Sequence, residues 1–203
     1  LTKNLFYWHR VLLRGEWDRR LTERTDELAG KTWGIVGLGR IGKEVAKHAA
    51  VFNMNLVGYD PYLSEKDTKQ FGVKLKTLDD LLKSSDVITI HAVATEETRG
   101  LIHRNNLRKI KRGAYLINFA RGSLIENLDI LYEGLQEGLL AGVGLDVYDK
   151  EPLPQDHKLR FFQNALLLPH IGYVTVENYS KFYSQMIENL EACLKNKPLR
   201  IIS

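Results

Sequence analysis

Short apolar segments alternate with amphipathic segments along most of this chain. The apolar segments are rich in Val, Ile and Leu and are bounded by Gly, Pro or charged residues, which is typical of buried strands. The predicted strands are residues 32–36, 55–59, 73–75, 86–91, 114–118, 141–146 and 165–168. Strands that are apolar on both faces need helices on both sides. The pattern therefore predicts an α/β fold with a doubly wound parallel sheet.

The segments between these strands repeat apolar residues every three or four positions, which predicts helices over residues 5–13, 78–82, 126–136 and 176–194. Thr77 is expected to cap the helix 78–82. Another helix follows residue 39, and its apolar face is predicted to hold Ile41, Val45, Ala46 and Ala49. A charged segment, residues 16–27, is typical of a surface linker. Met186 and Cys193 lie on the apolar stripe of the last helix, where core positions are expected.

Three glycines, Gly37, Gly39 and Gly42, separate the first predicted strand from its helix. In a dinucleotide site the first permits a tight turn, the second lets the backbone approach a pyrophosphate, and the third lets the helix pack closely. The free N–H groups of the helix would face the phosphates. A glycine-rich turn of purely structural use is the alternative interpretation.

Asp60 ends the second predicted strand, at the separation where a carboxylate can accept hydrogen bonds from both hydroxyls of an adenosine ribose. Its charge would repel a 2′-phosphate, and the following Pro61 and Tyr62 supply no cation. Strand, glycines, helix and acid together predict a Rossmann-type domain that binds NAD rather than NADP.

The composition is ordinary for a soluble globular protein, with 44% hydrophobic and 27% charged residues among 203. The net charge of +4 is modest and no basic cluster is interleaved with exposed aromatics, so a nucleic-acid partner is not expected. A single cysteine predicts neither disulfides nor a metal site and favours the cytoplasm. No segment is long and apolar enough for a membrane span, and the first residues lack Met, so we expect a part of a longer protein.

Three polar residues follow the carboxyl ends of predicted strands, where ligands bind to open parallel sheets: Arg121, Glu151 and His170. A guanidinium suits two-point binding of a carboxylate, and an imidazole paired with a carboxylate suits proton exchange with a hydroxyl or carbonyl. Each also has a structural alternative, as a surface or capping arginine, a loop carboxylate and a turn histidine. Their shared position favours a hydride-transfer site beside a nicotinamide.

Four ordered motifs make the chain resemble the D-isomer-specific 2-hydroxyacid dehydrogenases over essentially all of its length. They are Gly37-Leu38-Gly39-Arg40-Ile41-Gly42, Leu116-Ile117-Asn118-Phe119-Ala120-Arg121-Gly122, Gly144-Leu145-Asp146-Val147-Tyr148 through Glu151-Pro152-Leu153-Pro154, and Pro169-His170-Ile171-Gly172.

The resemblance implies that Arg121 holds the substrate carboxylate and carbonyl oxygen, that His170 is the acid/base, and that Glu151 stabilises its imidazolium. It implies that Arg40 and Ile41 contact the pyrophosphate and that Asp146 orients the nicotinamide carboxamide. It also implies a cofactor lining that includes Ala92, Val93, Phe119, Ala120 and Gly172.

The same resemblance implies a homodimer formed through nucleotide-binding domains, for which the aromatic helix around Phe6, Trp8 and Leu12, together with Trp17, is our candidate surface. The alternative is that these residues only cover their own domain. It divides the chain into a helix and linker at 1–30, an NAD-binding domain at 31–174 and a returning helix at 175–203. The substrate domain of the family is built mainly from residues preceding those present here. We therefore expect this chain by itself to bind NAD without useful turnover.

Family members commonly have Pro at the position of Val93 and small residues at those of Phe119 and Tyr173, so the identity of the 2-hydroxyacid stays open. A phosphite or formate dehydrogenase shares the Arg, Glu and His and is one alternative. A non-catalytic NAD-sensing module is another, although the presence of all three polar residues argues against it.

Overall fold

A computed structural model describes residues 1–17 and 27–201, so most of the linker predicted at 16–27 lies outside the described residues. The chain divides into two compact units, Leu1–Pro169 and His170–Ser203. The first unit holds the sheet and most of the helices, and the second holds the last helix.

The first unit is built on a seven-stranded sheet in the order β3-β2-β1-β4-β5-β6-β7. All neighbouring strands of the described chain run parallel, as predicted. The strands are β1 (Thr32–Val36), β2 (Asn55–Tyr59), β3 (Lys74–Leu75), β4 (Val87–Ile90), β5 (Ala114–Asn118), β6 (Leu140–Leu145) and β7 (Ala165–Leu167). Chain order reverses between β1 and β4, which makes the carboxyl ends of these two strands the switch point where a doubly wound sheet opens a crevice.

Helices connect the strands. They are α1 (Leu5–Leu13), α2 (Arg40–Val51), α3 (Glu65–Thr68), α4 (Leu78–Ser84), α5 (Arg104–Leu107), α6 (Asp129–Gln136) and, in the second unit, α7 (Val176–Leu194). Thr77 caps α4 as predicted, because its side chain accepts a hydrogen bond from the Asp80 amide. The short helix α3 was not predicted, since four residues are too few for an apolar period to show.

Helix α2 packs on the sheet through Gly42, Ala46 and Ala49, all of which are buried. The prediction that Ile41 shares this face is wrong, because 68% of its surface is exposed. Each helical residue turns about 100°, so a stripe that passes through residues 42, 46 and 49 leaves residue 41 beside it. Ile41 therefore projects from the first turn of α2.

Helix α6 begins at Asp129, three residues later than predicted. The cause is a short parallel bridge between Ile102 and Ile125 that holds this segment extended. It continues with a hydrogen bond from the Glu126 amide to the Ile102 carbonyl at 2.8 Å. Asn127 then accepts from the Ile130 amide at 3.2 Å, which turns the chain into the helix.

Helix α7 covers the predicted residues, and the Thr175 side chain caps it by accepting from the Asn178 amide. None of its residues is buried. The expectation that Met186 and Cys193 are core residues is wrong, since Met186 is 62% exposed and Cys193 is exposed as well. An apolar period identifies a face that can pack, but it does not say what covers that face. No helix of the described chain is long and apolar enough to cross a membrane.

Asp86 joins the amino-terminal ends of β1 and β4. Its Oδ2 accepts from the Thr32 amide at 2.9 Å and its Oδ1 accepts from the Lys111 ammonium at 2.7 Å. Burial opposes ionisation of this carboxyl, but the hydrogen bond and charge of Lys111 and the Thr32 amide outweigh it, so the pKa of Asp86 is lowered. The ionised carboxylate therefore stabilises the fold.

Replacing Asp86 by Asn is expected to lower the free energy of unfolding by about 1–2 kcal/mol at neutral pH, because a charged hydrogen-bond acceptor is lost. A carboxyl whose pKa is lowered by folding stabilises fully above its unfolded pKa of about 3.9 and loses that effect as the pH falls through its folded-state pKa. The difference between Asp86→Asn and the unaltered protein should therefore shrink below about pH 4.

Urea unfolding of both proteins at pH 7 and pH 3.5 measures this difference. The control is Glu96→Gln, because Glu96 pairs with Arg99 while 84% and 64% of their side chains are exposed. Exposed pairs contribute little, so the control should stay within about 0.5 kcal/mol of the unaltered protein. An equal loss in both variants would contradict a special role for Asp86.

Candidate functional site

Most of the predicted site residues of the first unit follow the carboxyl ends of five adjacent strands. The glycine motif follows β1, Asp60 follows β2, and Ala92 and Val93 come soon after β4. Phe119, Ala120 and Arg121 follow β5, and Asp146 follows β6. Because these strands are parallel neighbours, their carboxyl ends share one edge of the sheet. The fold therefore brings the predicted residues of this unit to the edge where such sheets bind ligands.

The loop between β1 and α2 packs closely against the backbone after β4 and against the first turn of α2. Gly37 has φ +91°, and a Cβ there would lie 2.5 Å from the amide nitrogen of Ala92. A Cβ at Gly42 would lie 2.0 Å from the Gly37 carbonyl oxygen. Neither position has room for a side chain, so both glycines are required by packing within the protein.

Gly39 differs from these two glycines, because a Cβ there would meet no described atom within 4 Å. It is the N-cap residue of α2, where no side chain of the described residues makes a capping hydrogen bond and the first turn carries no acid. Exposed N–H groups and the positive end of the helix dipole attract anions. The open space at Gly39, next to the cation Arg40, therefore fits the pyrophosphate of a dinucleotide.

The carboxylate of Asp60 lies beside the same loop. Its Oδ2 accepts a hydrogen bond from the Leu38 amide at 2.9 Å, and its Oδ1 accepts one from the Tyr62 amide at 3.1 Å. Since each carboxylate oxygen has two acceptor sites, these bonds leave capacity for further donors such as ribose hydroxyls. Asp60 thus fixes the glycine loop while it remains able to bind a ligand.

Asn118 shapes the loop that carries Arg121, a role that the sequence did not reveal. Its side chain is fully buried, and it accepts from the Ala120 amide at 3.0 Å and donates to the Arg121 carbonyl at 2.9 Å. The exposed Arg121 guanidinium donates from Nη1 to the Ala120 carbonyl at 2.8 Å. An Asn at the end of a buried strand, just before a turn, is the signal that could have identified this loop.

The loop of Arg121 packs against the loop that leads to Glu151. A Cβ at Gly122 would lie 2.0 Å from the carbonyl carbon and oxygen of Tyr148. The Tyr148 amide in turn donates to Oε1 of Glu151 at 3.0 Å. Backbone contact and hydrogen bond together bring the segments of Arg121 and Glu151 into one region of the sheet edge.

Tyr148 also ties this region to the end of β7, which was not anticipated. Its phenol donates to the Leu168 carbonyl at 2.8 Å. Burial and the negative charge of Asp146 raise the pKa of Tyr148 to about 12, so the phenol keeps its proton at neutral pH. A neutral phenol can act as a donor at any physiological pH.

His91 lies at the switch point, directly after β4. Burial lowers the pKa of His91 to about 4, so its ring is neutral at physiological pH. Its Nε2 is a buried atom with no hydrogen-bond partner among the described residues. His91 therefore adds no positive charge to this edge of the sheet at physiological pH.

His170 and Gly172 belong to the second unit, and His170 directly follows Pro169, the last residue of the first. The backbone of His170 is left-handed, with φ 57°. Such a conformation is uncommon outside glycine and concentrates at functional sites. The imidazole ring lies 5.7 Å from the ring of Tyr173, centroid to centroid, at an interplanar angle of 85°.

Comparisons with known proteins agree with this geometry. The family model described as "D-isomer specific 2-hydroxyacid dehydrogenase, NAD binding domain" matches residues 1–172. The D-3-phosphoglycerate dehydrogenase of Archaeoglobus fulgidus is 40% identical over 191 residues, which cover 94% of this chain and 36% of that protein. The glyoxylate reductase of Thermofilum pendens is 38% identical over 201 residues, covering 97% of this chain and 59% of that protein.

Among solved structures, the D-lactate dehydrogenase of Aquifex aeolicus in complex with NAD and lactic acid aligns with a TM-score of 0.87. It is 31% identical, and the alignment covers 97% of this chain and 63% of that one. The described fold is thus that of an NAD-binding domain. The chain belongs to the D-isomer specific 2-hydroxyacid dehydrogenase family. It spans about a third to three fifths of the length of these curated relatives.

Two glycine substitutions should separate cofactor binding from folding. Gly39→Ala places its methyl group in open space, so the melting temperature should change little while NAD binding weakens about tenfold or more. Gly42→Ala forces a methyl group against the Gly37 carbonyl and should lower stability by about 1–3 kcal/mol.

Thermal unfolding without cofactor and calorimetric titration with NAD measure the two effects on the same samples. The proposed fit of a pyrophosphate at Gly39 would be contradicted if Gly39→Ala bound NAD as tightly as the unaltered protein.

Proposed function

We propose that the protein containing this chain is an NAD-dependent oxidoreductase that interconverts a D-2-hydroxyacid and the corresponding 2-oxoacid. The observation that carries this proposal is the common sheet edge, which holds both the glycine loop after β1 and the packed segments of Arg121 and Glu151. A cofactor site and a cation for an organic anion are thereby present in one domain.

In this proposal the glycine loop, with Arg40 and Ile41, holds the pyrophosphate, and Asp60 holds the adenosine ribose. The 68% exposure of Ile41 leaves its side chain accessible to a ligand. Ala92, Val93, Phe119 and Ala120 line the cofactor, Asp146 orients the carboxamide, and His170 and Gly172 complete the nicotinamide end. When bound, NAD would supply the acceptor for the hydride on C2 of the hydroxyacid, and its reduced form would supply the hydride for the reverse reaction.

Arg121 is proposed to bind the substrate carboxylate and the oxygen on C2. Its planar guanidinium can donate two parallel hydrogen bonds to a carboxylate, which a lysine cannot reproduce. The two hydrogen bonds of the Asn118 side chain support this role, because they fix the backbone of Ala120 and of Arg121. A hydrogen bond from the Arg121 guanidinium to the oxygen on C2 would also polarise a 2-oxo group for reduction.

His170 is proposed as the general acid and base. In the oxidation, neutral His170 takes the proton from the C2 hydroxyl; in the reduction, protonated His170 returns a proton to the carbonyl oxygen. Glu151, as a carboxylate, would favour the imidazolium form through its opposite charge. The left-handed backbone of His170 supports a functional assignment.

The substrate class rests on chemistry shared by the relatives. Phosphoglycerate, glyoxylate and lactic acid, which occur in the names of the three similar proteins, are all carboxylic acids with oxygen on C2. A single guanidinium could bind that common part in each of them. Glyoxylate, pyruvate and phosphohydroxypyruvate are therefore the first 2-oxoacids to assay with NADH.

We also propose a homodimer in which a second copy covers α1. Leu5, Phe6 and Leu12 on this helix are exposed by 71%, 65% and 52%, which is unusual for clustered large apolar side chains. Sedimentation at micromolar concentration should give a dimer, and Phe6→Asp should shift it toward monomer. A monomeric unaltered protein would contradict the proposal.

Replacing His170 by Ala in the whole protein should lower kcat about 100- to 10,000-fold with the best 2-oxoacid, because the proton donor is lost. NADH affinity should change little. Steady-state kinetics and a fluorescence titration of NADH measure both quantities.

The matched control is His48→Ala, since His48 is an exposed histidine in the last turn of α2. It should leave kcat near that of the unaltered protein. Turnover that survives in His170→Ala would remove His170 from the acid/base role.

A further inference from the structure

Three aromatic side chains of the second unit lie close to one another, and one of them, Tyr173, belongs to the loop that carries His170. The ring of Tyr173 lies 6.5 Å from that of Tyr179 and 6.4 Å from that of Phe182, and the last two rings lie 6.5 Å apart. We call Tyr173, Tyr179 and Phe182 the aromatic triangle. Spacings of this size are those of interacting aromatic pairs.

Tyr173 is the member of the triangle that contacts His170. The two rings are nearly perpendicular, at 85°, with centroids 5.7 Å apart. Perpendicular pairs are favoured because the positive edge of one ring meets the negative face of the other. The arrangement therefore favours one plane of the imidazole ring over others.

The backbone of Tyr173 is fixed as well as its ring. Its carbonyl accepts from Nδ2 of Asn178, in the first turn of α7, at 2.7 Å. The Val174 amide donates to the Ile171 carbonyl at 2.9 Å, which closes a turn around Tyr173. Helix α7 thus holds Tyr173 through Asn178 and through the rings of Tyr179 and Phe182.

We propose that Tyr173 is a positioning residue that orients the imidazole of His170 for proton transfer. This inference rests on the proposed function of His170 and extends it to a residue outside that assignment. The outer torsion of a histidine side chain is broad when nothing restrains it. Proton transfer requires the correct nitrogen within hydrogen-bond reach of the substrate oxygen, so a fixed ring plane favours the reaction.

The ring of Tyr173, rather than its hydroxyl, carries this role. Tyr173→Leu keeps an apolar side chain but removes the ring, and in the whole protein kcat should fall about 10- to 100-fold, as expected for a misoriented catalytic group. KM and NADH affinity should stay nearly unchanged. Tyr173→Phe keeps the ring and should retain most of kcat.

The matched control is Tyr183→Leu. Tyr183 is also on the second unit, and its ring contacts Tyr179 at 6.3 Å, while no ring contact with Tyr173 or His170 is found among the described residues. This variant should keep kcat. Phe182→Leu, which loosens the support of Tyr173, should lower kcat in the same direction as Tyr173→Leu but less.

A second readout does not depend on turnover. Histidines labelled with ¹³C at Cε1 give one NMR signal each, and His170→Ala identifies the signal of His170. The ring of Tyr173 shifts that signal by its ring current. The shift should disappear in Tyr173→Leu and persist in Tyr173→Phe, and melting temperatures establish that each variant is folded.

An unchanged kcat and an unchanged His170 signal in Tyr173→Leu would overturn the proposal. So would a loss in Tyr173→Phe as large as that in Tyr173→Leu, since the hydroxyl would then be the active part. The proposed function fails separately if His170→Ala keeps turnover. If kcat falls in His170→Ala but not in Tyr173→Leu, the positioning role of Tyr173 is overturned while the proposed role of His170 stands.

Discussion

The contact between the glycine loop and the end of β4 is the constraint on which the cofactor edge depends. Gly37 reaches the backbone of Ala92 at a distance that leaves no room for a Cβ, and Gly42 lies closer still to the Gly37 carbonyl. These approaches place the amino terminus of α2 over the switch point of the sheet. Asp60 then holds Leu38 from the neighbouring strand, so that the ends of three strands are joined at one edge of the sheet.

A second set of contacts builds the part of the edge that carries the proposed chemistry. Gly122 meets the backbone of Tyr148, Tyr148 bonds to Glu151, and its phenol bonds to Leu168 at the end of the last strand. Loops from β5, β6 and β7 are therefore held by one tyrosine. A phenol is protonated at physiological pH, and burial raises the pKa of Tyr148 further, to about 12, so its hydroxyl remains a donor to Leu168.

The sequence predicted the sheet well, because buried parallel strands such as β1, β4 and β5 are apolar on both faces and cannot be confused with surface loops. It failed where local pattern and tertiary contact disagree. Ile41 fits an apolar period but lies outside the buried stripe, and the Ile102–Ile125 bridge delays α6. Met186 and Cys193 follow a regular apolar stripe on α7, yet the periodicity does not say whether any other part of the protein covers that stripe.

The site was predicted in the same uneven way. The three glycines and Asp60 could be identified because each has a chemical reason to stand at its spacing. Asn118 and Tyr148 were missed, because their importance comes from hydrogen bonds to backbone atoms that are distant or irregular in sequence. The ring contact of Tyr173 with His170 likewise depends on a turn whose shape is not encoded by any periodic pattern.

Within five consecutive positions, 118–122, the end of β5 and the loop after it separate residues that support the backbone from residues that face solvent. Asn118 and Gly122 are buried and fix the backbone, whereas Phe119 and Arg121 between them are exposed toward solvent. A change at residue 119 can therefore alter the surface that this loop presents while the backbone of Arg121 stays where Asn118 holds it. The exposed positions of the loop can thus be substituted one at a time, without rebuilding the frame that anchors them.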